Sequence, residues 1–326
     1  GGQLDDERRM SMGGDITASL PRVAVVLGYY TGSKYIRRQV ESILAQENVE
    51  VCVFIYDDAS PTPLTKNDLN PEADAFGRVR ISRRNQNLGF QMNFIRGLQD
   101  VPGDYDFYAF SDQDDVWHPD KLSHAISMIQ GSSDISPVLY GARTEAWDET
   151  LTAPMGVSPL FKIAPNFGNA LVQSIMGGNT LVMNRACRTL VCKAGYETVP
   201  VSHDWWCYQL VSGAGGSIIY DDWPCLKYRQ HAGNVVGSNR GWRARLSRLR
   251  RLLSGEFYGW NSQNIAALEQ NVELLTRENQ KRLQEFRRAR NGSLLTRVLV
   301  PLKHKISRQT ALGQLGLLLG LTLGRV

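Results

Sequence analysis

Apolar residues along the chain alternate between short continuous runs and runs at helical spacing. Continuous runs, which are typical of buried strands, lie at VAVVLG (23–28), VEVCVFIYDD (49–58), VRISRR (79–84) and DFYAFSDQDD (106–115). Between or after them, helical spacing occurs in YIRRQVESILAQ (35–46), LGFQMNFIRGLQ (88–99) and PDKLSHAISMIQ (119–130). This alternation predicts an α/β fold in which a mostly parallel sheet is flanked by helices on both faces.

The second half of the domain has a more mixed pattern. We expect strands at PVLYGARTEAW (137–147), GGNTLVMN (177–184) and SIIYDDWPCLKYRQH (217–231), the last interrupted at Pro224. The pattern predicts helices at RACRTLVCKAG (185–195) and HDWWCYQLVSGAG (203–215). We therefore expect a polar tail over 1–21, one α/β domain over 22–237 and a helical extension over 238–326.

The extension differs from the domain in charge and in periodicity. Apolar residues at a spacing of three to four predict one long helix over 263–289, which would pack on the domain or form a homodimer with a second copy. The terminal run 311–326 is apolar but shorter than a membrane span. Before the predicted long helix, six arginines are interleaved with Trp242 and several leucines. The arginines are Arg240, Arg243, Arg245, Arg248, Arg250 and Arg251. This basic segment predicts peripheral binding to an anionic membrane, or else a solvated face of a docked helix.

Composition narrows the class of protein. The chain has 326 residues, 42% of them apolar, with a net charge of +5. Its five cysteines are odd in number and include no CxxC pair, which argues against a disulfide scaffold and a zinc site and favours a reducing cytoplasm. The first residues are polar and acidic and do not resemble a secretory signal. We expect no nucleic-acid partner.

Two acidic clusters follow predicted strands. Asp57 and Asp58 end the second strand, and SDQDD places Asp112, Asp114 and Asp115 at the end of the fourth. Ligands of open α/β sheets bind beyond the carboxyl ends of the strands. Because close carboxylates repel each other, the second cluster needs either full solvation or a cation.

Three chemistries fit the second cluster to different degrees. A calcium loop that begins at Asp112 would need Gly and Glu where Trp117 and Ser123 stand. A phosphohydrolase of the haloacid-dehalogenase type matches DQDDV, but its nucleophile normally follows the first strand of the fold. A metal–diphosphate clamp needs a nucleotide pocket and a separate base, and Asp57, Asp58 and Asp204 are candidates for these roles.

The ordered set of motifs resembles family 2 glycosyltransferases of the GT-A fold, which bind nucleotide sugars. The motifs are YYTGSKYIRRQVESILAQ, IYDDAS, NQNLGFQMN, FSDQDDVWHPDKL, GGNT, HDWW and YRQHAGNVVG. SDQDDVW together with ESILAQ is most similar to the rhamnosyltransferase-like branch of bacterial polysaccharide and lipopolysaccharide assembly. The resemblance implies a nucleotide-binding half over 22–120 and an acceptor-binding half over 121–237.

The resemblance also implies roles for individual residues. Nucleotide-sugar contacts would come from Tyr30, Asp57, Asp58, Arg84, Asn87, Asp112, Gln113 and Asp114. The divalent cation, Mn²⁺ or Mg²⁺, would be held by Asp112, Asp114 and His231, and Asp115 would support them. Asp204 would be the catalytic base, or only a helix cap, and Trp205 or Trp206 would stack on the acceptor sugar or be core residues.

The implied activity is an inverting, metal-dependent transfer of a sugar. The expected donor is dTDP-L-rhamnose, with a UDP-hexose as the alternative. The expected acceptor is a cell-surface glycan or a lipid-linked glycan at the inner face of the bacterial cytoplasmic membrane. The phosphohydrolase and a non-catalytic glycan-assembly protein remain the alternatives from other classes.

Overall fold

The sheet organises the molecule. The computed structural model describes residues 19–72, 74, 76–131, 135–231 and 254–326. In these residues the strands are β1 (Arg22–Tyr29), β2 (Glu50–Asp57), β3 (Val79–Arg83), β4 (Phe107–Ser111), β5 (Val116–Trp117), β6 (Val138–Trp147), β7 (Pro154–Val157), β8 (Val182–Asn184) and β9 (Ser217–Arg229). Their spatial order is β3-β2-β1-β4-β8-β6-β9-β5, and β7 pairs with β6.

Helices cover both faces of this sheet. They are α1 (Ser33–Leu44), α2 (Phe90–Asp100), α3 (Lys121–Gln130), α4 (Phe167–Ala170), α5 (Arg185–Lys193), α6 (His203–Gly213), α7 (Glu256–Gln270), α8 (Arg277–Arg290), α9 (Leu294–Lys303) and α10 (Ala311–Thr322). The helices predicted within the α/β domain are confirmed. Local caps fix several starts; the Asn184 side chain, for example, accepts a hydrogen bond from the Cys187 amide at the start of α5.

The continuous apolar runs are explained by burial on two faces. Val23, Val25 and Leu27 of β1 lie in one apolar layer with α1 and α3. Ala24 and Val26 lie in the opposite layer, which contains α2, α5 and α6. Because successive side chains of a strand point to opposite faces, a strand buried on both sides needs apolar residues throughout.

Strand direction changes midway through the sheet. The pairs β1–β2, β2–β3 and β1–β4 are parallel, as the strand–helix alternation predicts. In contrast, β8 runs antiparallel to both β4 and β6, and β5 runs antiparallel to β9. The long strand β9 continues through Pro224, and its register with β6 shifts on both sides of that pair. A proline cannot donate to the ladder, so it fits at such an irregularity.

The single long helix predicted over 263–289 is wrong. The chain forms α7 and α8 with a break between Asn271 and Thr276. Asn271 is buried and bonds its side chain to both backbone groups of Gly195 and to the Ala267 carbonyl. Thr276 then caps α8. The break therefore results from contacts with the α/β domain, which helical periodicity alone does not register.

The apolar seam of these two helices faces the domain. Its buried members belong to the same apolar layer as Trp206, and they are Ile265, Leu268, Leu275, Leu283 and Phe286. Docking on the domain, one of the two predicted outcomes, is what the structure shows, and the seam is not available for a homodimer. The basic segment Arg240–Leu253 lies outside the described residues. Within the described residues, no helix is long and apolar enough to cross a membrane.

Candidate functional site

The carboxyl ends of the central parallel strands meet at one edge of the sheet. Tyr29 at the end of β1 is in register with Asp57 at the end of β2, and Leu27 is in register with Ser111 at the end of β4. The loops that follow these strands therefore gather side by side. The two predicted acidic clusters lie in these loops, at the edge where α/β sheets bind ligands.

Gln113 clamps the loop between β1 and α1. Its Oε1 accepts a hydrogen bond from the Tyr30 amide at 2.9 Å, and its Nε2 donates to the Thr31 carbonyl at 2.5 Å. The Thr31 amide in turn donates to Ser60 Oγ at 3.0 Å. Thr31 has a φ of 50° and Gly32 a φ of 84°, so the clamp holds a conformation that few residues adopt unaided.

A cavity of about 400 Å³ opens beside this clamped loop. Its walls come from the β1–α1 loop and from the loop after β2, and they include Thr31, Lys34, Thr62 and Asp68. The Tyr30 side chain is about half exposed at the surface of the same loop. The nucleotide contacts predicted for Tyr30 and Gln113 stay predictions; Gln113 acts on the wall of the cavity through its bond to the Thr31 carbonyl.

Asp57 and Asp58 are buried and engaged with backbone amides. Asp57 accepts from the amides of Ser60 and Leu64 at 2.9 and 3.0 Å. Asp58 accepts from the amides of Leu88 and Gly89 at 2.7 and 3.0 Å. Asp57 therefore fixes the loop that borders the cavity, and Asp58 fixes the loop before α2. Contact of either carboxylate with a base or ribose stays a prediction.

Arg84 and Asn87 support the same region from the chain that precedes α2. Arg84 donates to Asn93 Oδ1 at 3.1 Å and to Asp100 at 2.5 Å, so its guanidinium lies along α2. Asn87 donates to the Asp58 carbonyl at 3.1 Å. Both side chains therefore hold the α2 end of the site together in this conformation.

The acidic triplet is electrostatically strained. The pKa of Asp112 is raised to about 7, first by burial and then by the neighbouring carboxylates of Asp114 and Asp204. The pKa of Asp115 is also raised, first by burial and then by Asp112 and Asp114. Asp115 is fully buried; Asn179 donates to one of its oxygens at 2.7 Å, and the other has no partner among the described residues. Asp112 and Asp115 are thus destabilised as carboxylates, and the charges of Asp114 and Asp204 act on Asp112.

His231 and Arg229 hold Asp114 in place from the end of β9. His231 Nε2 lies 2.6 Å from Asp114 Oδ2, and Arg229 Nε donates to the Asp114 carbonyl at 2.9 Å. The His231 ring also packs 5.0 Å from the Tyr35 ring of α1. The structure therefore brings His231 to Asp114, and Asp114 acts on Asp112; the metal-ligand role that the resemblance implies for these three residues stays a prediction.

These residues fit a divalent cation that is bound together with a diphosphate. The described residues contain no group of three His, Cys, Asp or Glu side chains already arranged to hold a metal. Mg²⁺ ordinarily uses one or two carboxylates and completes its shell with water and substrate phosphates. Asp112 and Asp114 supply two carboxylates, and the raised pKa of Asp112 shows repulsion that a cation would relieve.

Asp204 enters the site from the first turn of α6. Its Oδ2 accepts from the Gly178 amide at 3.2 Å, and its Oδ1 accepts from the Trp205 amide at 2.8 Å. A Cβ on Gly178 would lie 2.3 Å from His203 Nε2, so only glycine allows this approach. The N-cap residue of α6 is Ser202, so Asp204 is a residue of the first turn and not the helix cap. Each of its carboxylate oxygens keeps a further lone pair, so Asp204 can accept a proton while it keeps both amide bonds.

The tryptophans after Asp204 are core residues. Trp206 is fully buried and donates its Nε1 to the Tyr196 hydroxyl at 3.1 Å. Trp205 is also buried, and its Nε1 donates to the Ala170 carbonyl at 2.7 Å. The prediction that one of them stacks on an acceptor sugar is therefore wrong for this structure, because neither ring face is accessible.

Sequence reasoning missed two buried polar residues under the site. Gln39 of α1 donates to Ser111 Oγ at 2.6 Å, directly before Asp112, and its place among Ile36, Val40 and Ile43 was the available signal. Lys121 is fully buried with its Nζ 3.9 Å from the centre of the Trp117 ring. Burial lowers the pKa of Lys121 to about 8, and no pattern in the sequence distinguishes it from a surface lysine.

Comparison with known proteins agrees with this geometry. The sequence matches the family model of glycosyl transferase family 2 over residues 24–190, which is half of the chain. It is 27% identical over 246 residues to the dTDP-rhamnosyl transferase RfbG of Shigella flexneri, covering 68% of this chain and 76% of that protein. It is 36% identical over 118 residues to the succinoglycan biosynthesis protein ExoW of Rhizobium meliloti, covering 35% of this chain and 36% of that protein.

Solved structures support the fold. The S. aureus TarS 1–349 structure in complex with UDP-GlcNAc superimposes with a TM-score of 0.50 and 14% identity, covering 87% of this chain and 88% of that chain. The predicted GT-A fold is therefore confirmed.

Proposed function

Because the chain belongs to glycosyl transferase family 2, we propose that it transfers L-rhamnose from dTDP-L-rhamnose to a glycan or lipid-linked acceptor. Glycosyl transfer itself follows from the family. The choice of donor is supported by the similarity to a dTDP-rhamnosyl transferase over 68% of this chain. One observation supports the site above all others. Asp204 lies close enough to Asp112 to raise its pKa, as Asp114 does, at the carboxyl edge of the sheet.

Asp204 acts as the base in this proposal. The acceptor hydroxyl gives its proton to an Asp204 oxygen, and the resulting oxygen nucleophile forms a bond to the anomeric carbon. The bond between that carbon and the diphosphate breaks, and its electron pair leaves on the phosphate oxygen. Attack on the face opposite the leaving group inverts the anomeric configuration.

Asp112, Asp114 and His231 would hold the divalent cation, Mn²⁺ or Mg²⁺. When bound there, the cation neutralises charge on the departing nucleoside diphosphate. In the structure, His231 orients the side chain of Asp114, and Arg229 holds the Asp114 backbone carbonyl. Gln113 keeps the β1–α1 loop in the shape that borders the cavity.

The acceptor belongs to cell-surface glycan assembly in this proposal, at the inner face of the cytoplasmic membrane. The nucleotide-binding half would be 22–120 and the acceptor-binding half 121–237. The basic segment Arg240–Leu253 would contribute binding to anionic lipid through its arginines. The match to the transferase family removes the haloacid-dehalogenase alternative, since the acidic triplet follows the fourth strand of this fold.

A donor panel tests the nucleotide and the sugar. We expect dTDP-L-rhamnose with Mn²⁺ to raise the melting temperature of the protein more than UDP-hexoses do, because a ligand of the folded state stabilises it by mass action. A larger shift with a UDP-hexose would replace the donor assignment. No shift with any nucleotide sugar would favour a non-catalytic assembly protein.

The variant Asp204→Asn tests the base. Asparagine keeps the size of the side chain but cannot take a proton, so we expect kcat to fall by about 100-fold or more with little change in donor affinity. Asp120→Asn is the matched control, because Asp120 also stands at a helix start and makes no cap hydrogen bond. If Asp204→Asn abolished donor binding and left turnover unchanged, Asp204 would be a binding residue.

A further inference from the structure

The two last helices carry a large exposed apolar surface, which we name the leucine hairpin (residues 294–323). On α9 it exposes Leu294, Leu295, Leu299 and Leu302, with 52–68% of each side chain accessible. On α10 and directly after it, the exposed residues are Leu312, Leu315, Leu319 and Leu323, with 44–64% accessible. Monomeric proteins rarely expose so many large apolar residues together, so such a surface marks an interaction site.

The hairpin is firmly attached to the domain by its other side. Leu317 and Leu321 of α10 belong to the apolar layer around Trp206. In the loop between the helices, Gln309 bonds both backbone groups of Ile163, at 3.0 and 2.8 Å. The exposed leucines are therefore the outer face of a docked element.

The charged side chains of the hairpin sequence have one sign. Over 294–323 the sequence has four arginine or lysine residues and no aspartate or glutamate. Lys303 and Lys305 are exposed, and in the part of the chain that the structure describes neither pairs with a carboxylate. Apolar faces bordered by Lys and Arg are typical of helices that lie in the headgroup region of a membrane.

We propose that the leucine hairpin docks on an anionic phospholipid membrane, with its leucines among the acyl chains and its cations at the phosphates. The hairpin is a different part of the sequence from the segment Arg240–Leu253, and the proposal does not depend on the transferase chemistry. A second copy fits less well, because a twofold contact would bring two cationic faces together. A partner protein also fits less well, since protein interfaces favour aromatic anchors and the chain has no Phe, Tyr or Trp after Phe286.

The same contacts would set the orientation of the active site at the membrane. Ser307, in the loop of the hairpin, accepts a hydrogen bond from Asn169 of α4 at 2.9 Å. The next residue of α4, Ala170, accepts from Trp205 Nε1 at 2.7 Å, and Trp205 follows Asp204. A few rigid contacts thus connect the docking surface to the base.

Vesicle co-sedimentation of the full chain tests the proposal. We expect binding to vesicles that contain phosphatidylglycerol and weaker binding to pure phosphatidylcholine. The variant Leu295→Gln/Leu299→Gln/Leu315→Gln/Leu319→Gln should bind at least about tenfold more weakly, since each substitution removes an apolar contact with the lipid. The control Phe76→Gln/Ile135→Gln, which changes side chains that are 85% and 90% exposed elsewhere, should bind like the wild type.

The outcomes distinguish membrane binding from binding to a second copy of the chain. Equal binding of the wild type and the four-leucine variant, or no binding by the wild type, would overturn the proposal. So would a change of oligomeric state in the variant, seen by light scattering, with unchanged vesicle binding. Lys303→Gln/Lys305→Gln, which leaves the leucines intact, should weaken binding to anionic vesicles alone. Transfer to a detergent-dispersed acceptor should survive in all variants, so loss of docking is distinguishable from failure of the proposed function.

Discussion

Asp112→Asn should make the metal-free protein more stable at neutral and basic pH. The folded protein raises the pKa of Asp112 from 3.8 to about 7. Between these values the folded state binds more protons than the unfolded state, so the contribution of Asp112 to stability is lost as pH rises through about 7. Asparagine has no carboxylate to ionise and therefore escapes this loss.

The size of the effect follows from the shift. Each pKa unit corresponds to about 1.4 kcal/mol, which gives a ceiling of about 4 kcal/mol for a shift of about three units. The side chain is partly exposed, and solvent screens the repulsion that it shares with Asp114 and Asp204, so we expect about 1–2 kcal/mol. For a chain of this size, that raises the melting temperature by about 1.5–3 °C.

Thermal unfolding in the presence of a chelator at pH 5 and pH 8 measures the effect of Asp112→Asn on stability. The variant should exceed the wild type by more at pH 8 than at pH 5, because only part of the loss between 3.8 and about 7 has occurred at pH 5. The control Asp222→Asn, which changes an exposed carboxylate on β9, should leave the difference between the two pH values unchanged. Added Mn²⁺ should raise the melting temperature of the wild type at pH 8 more than that of the variant. Equal melting temperatures of the wild type and Asp112→Asn at pH 8 would refute the repulsion that we attribute to the triplet.

Two other substitutions have defined outcomes. Gln113→Ala releases the clamp on Thr31, so we expect the donor KM to rise about tenfold with kcat nearly constant; steady-state kinetics showing a fall in kcat alone would contradict this role. Asn271→Ala leaves the partly buried backbone groups of Gly195 without their partner and should cost about 1–3 kcal/mol in urea unfolding. The control Asn291→Ala, at the exposed end of α8, should be nearly neutral; equal losses would show that the Asn271 bonds are not responsible.

Sequence patterns identified the carboxyl edge of the sheet but not which of its carboxylates accept hydrogen bonds from loop amides. Strand periodicity locates the ends of β2 and β4, and parallel packing brings them together. Asp57 and Asp58 differ from Asp112 because loop amides, such as that of Leu88, approach them in the folded chain. These amides belong to residues up to about 30 positions away, and their approach depends on tertiary structure.

Periodicity also showed which helix faces are apolar but not what covers them. Ile265 and Phe286 fit one helical seam, yet the chain breaks between them because Asn271 bonds to Gly195. Trp206 follows a candidate base in a motif, which suggested a role at the acceptor, but its ring completes the core. In each case a contact between distant elements decided the outcome, and local sequence does not encode its geometry.

The two apolar layers of the sheet differ in when their residues leave the ribosome. Among the described residues, the last buried member of the layer that contains Val23 is Leu226, whereas the layer around Trp206 also includes Phe286 and Leu321. At a synthesis rate of about 5–20 residues per second, the interval between Leu226 and Leu321 lasts about 5–20 s. During it, the nascent chain can cover one face of its sheet and leaves the other open, so chaperone binding during translation should concentrate on the Trp206 face.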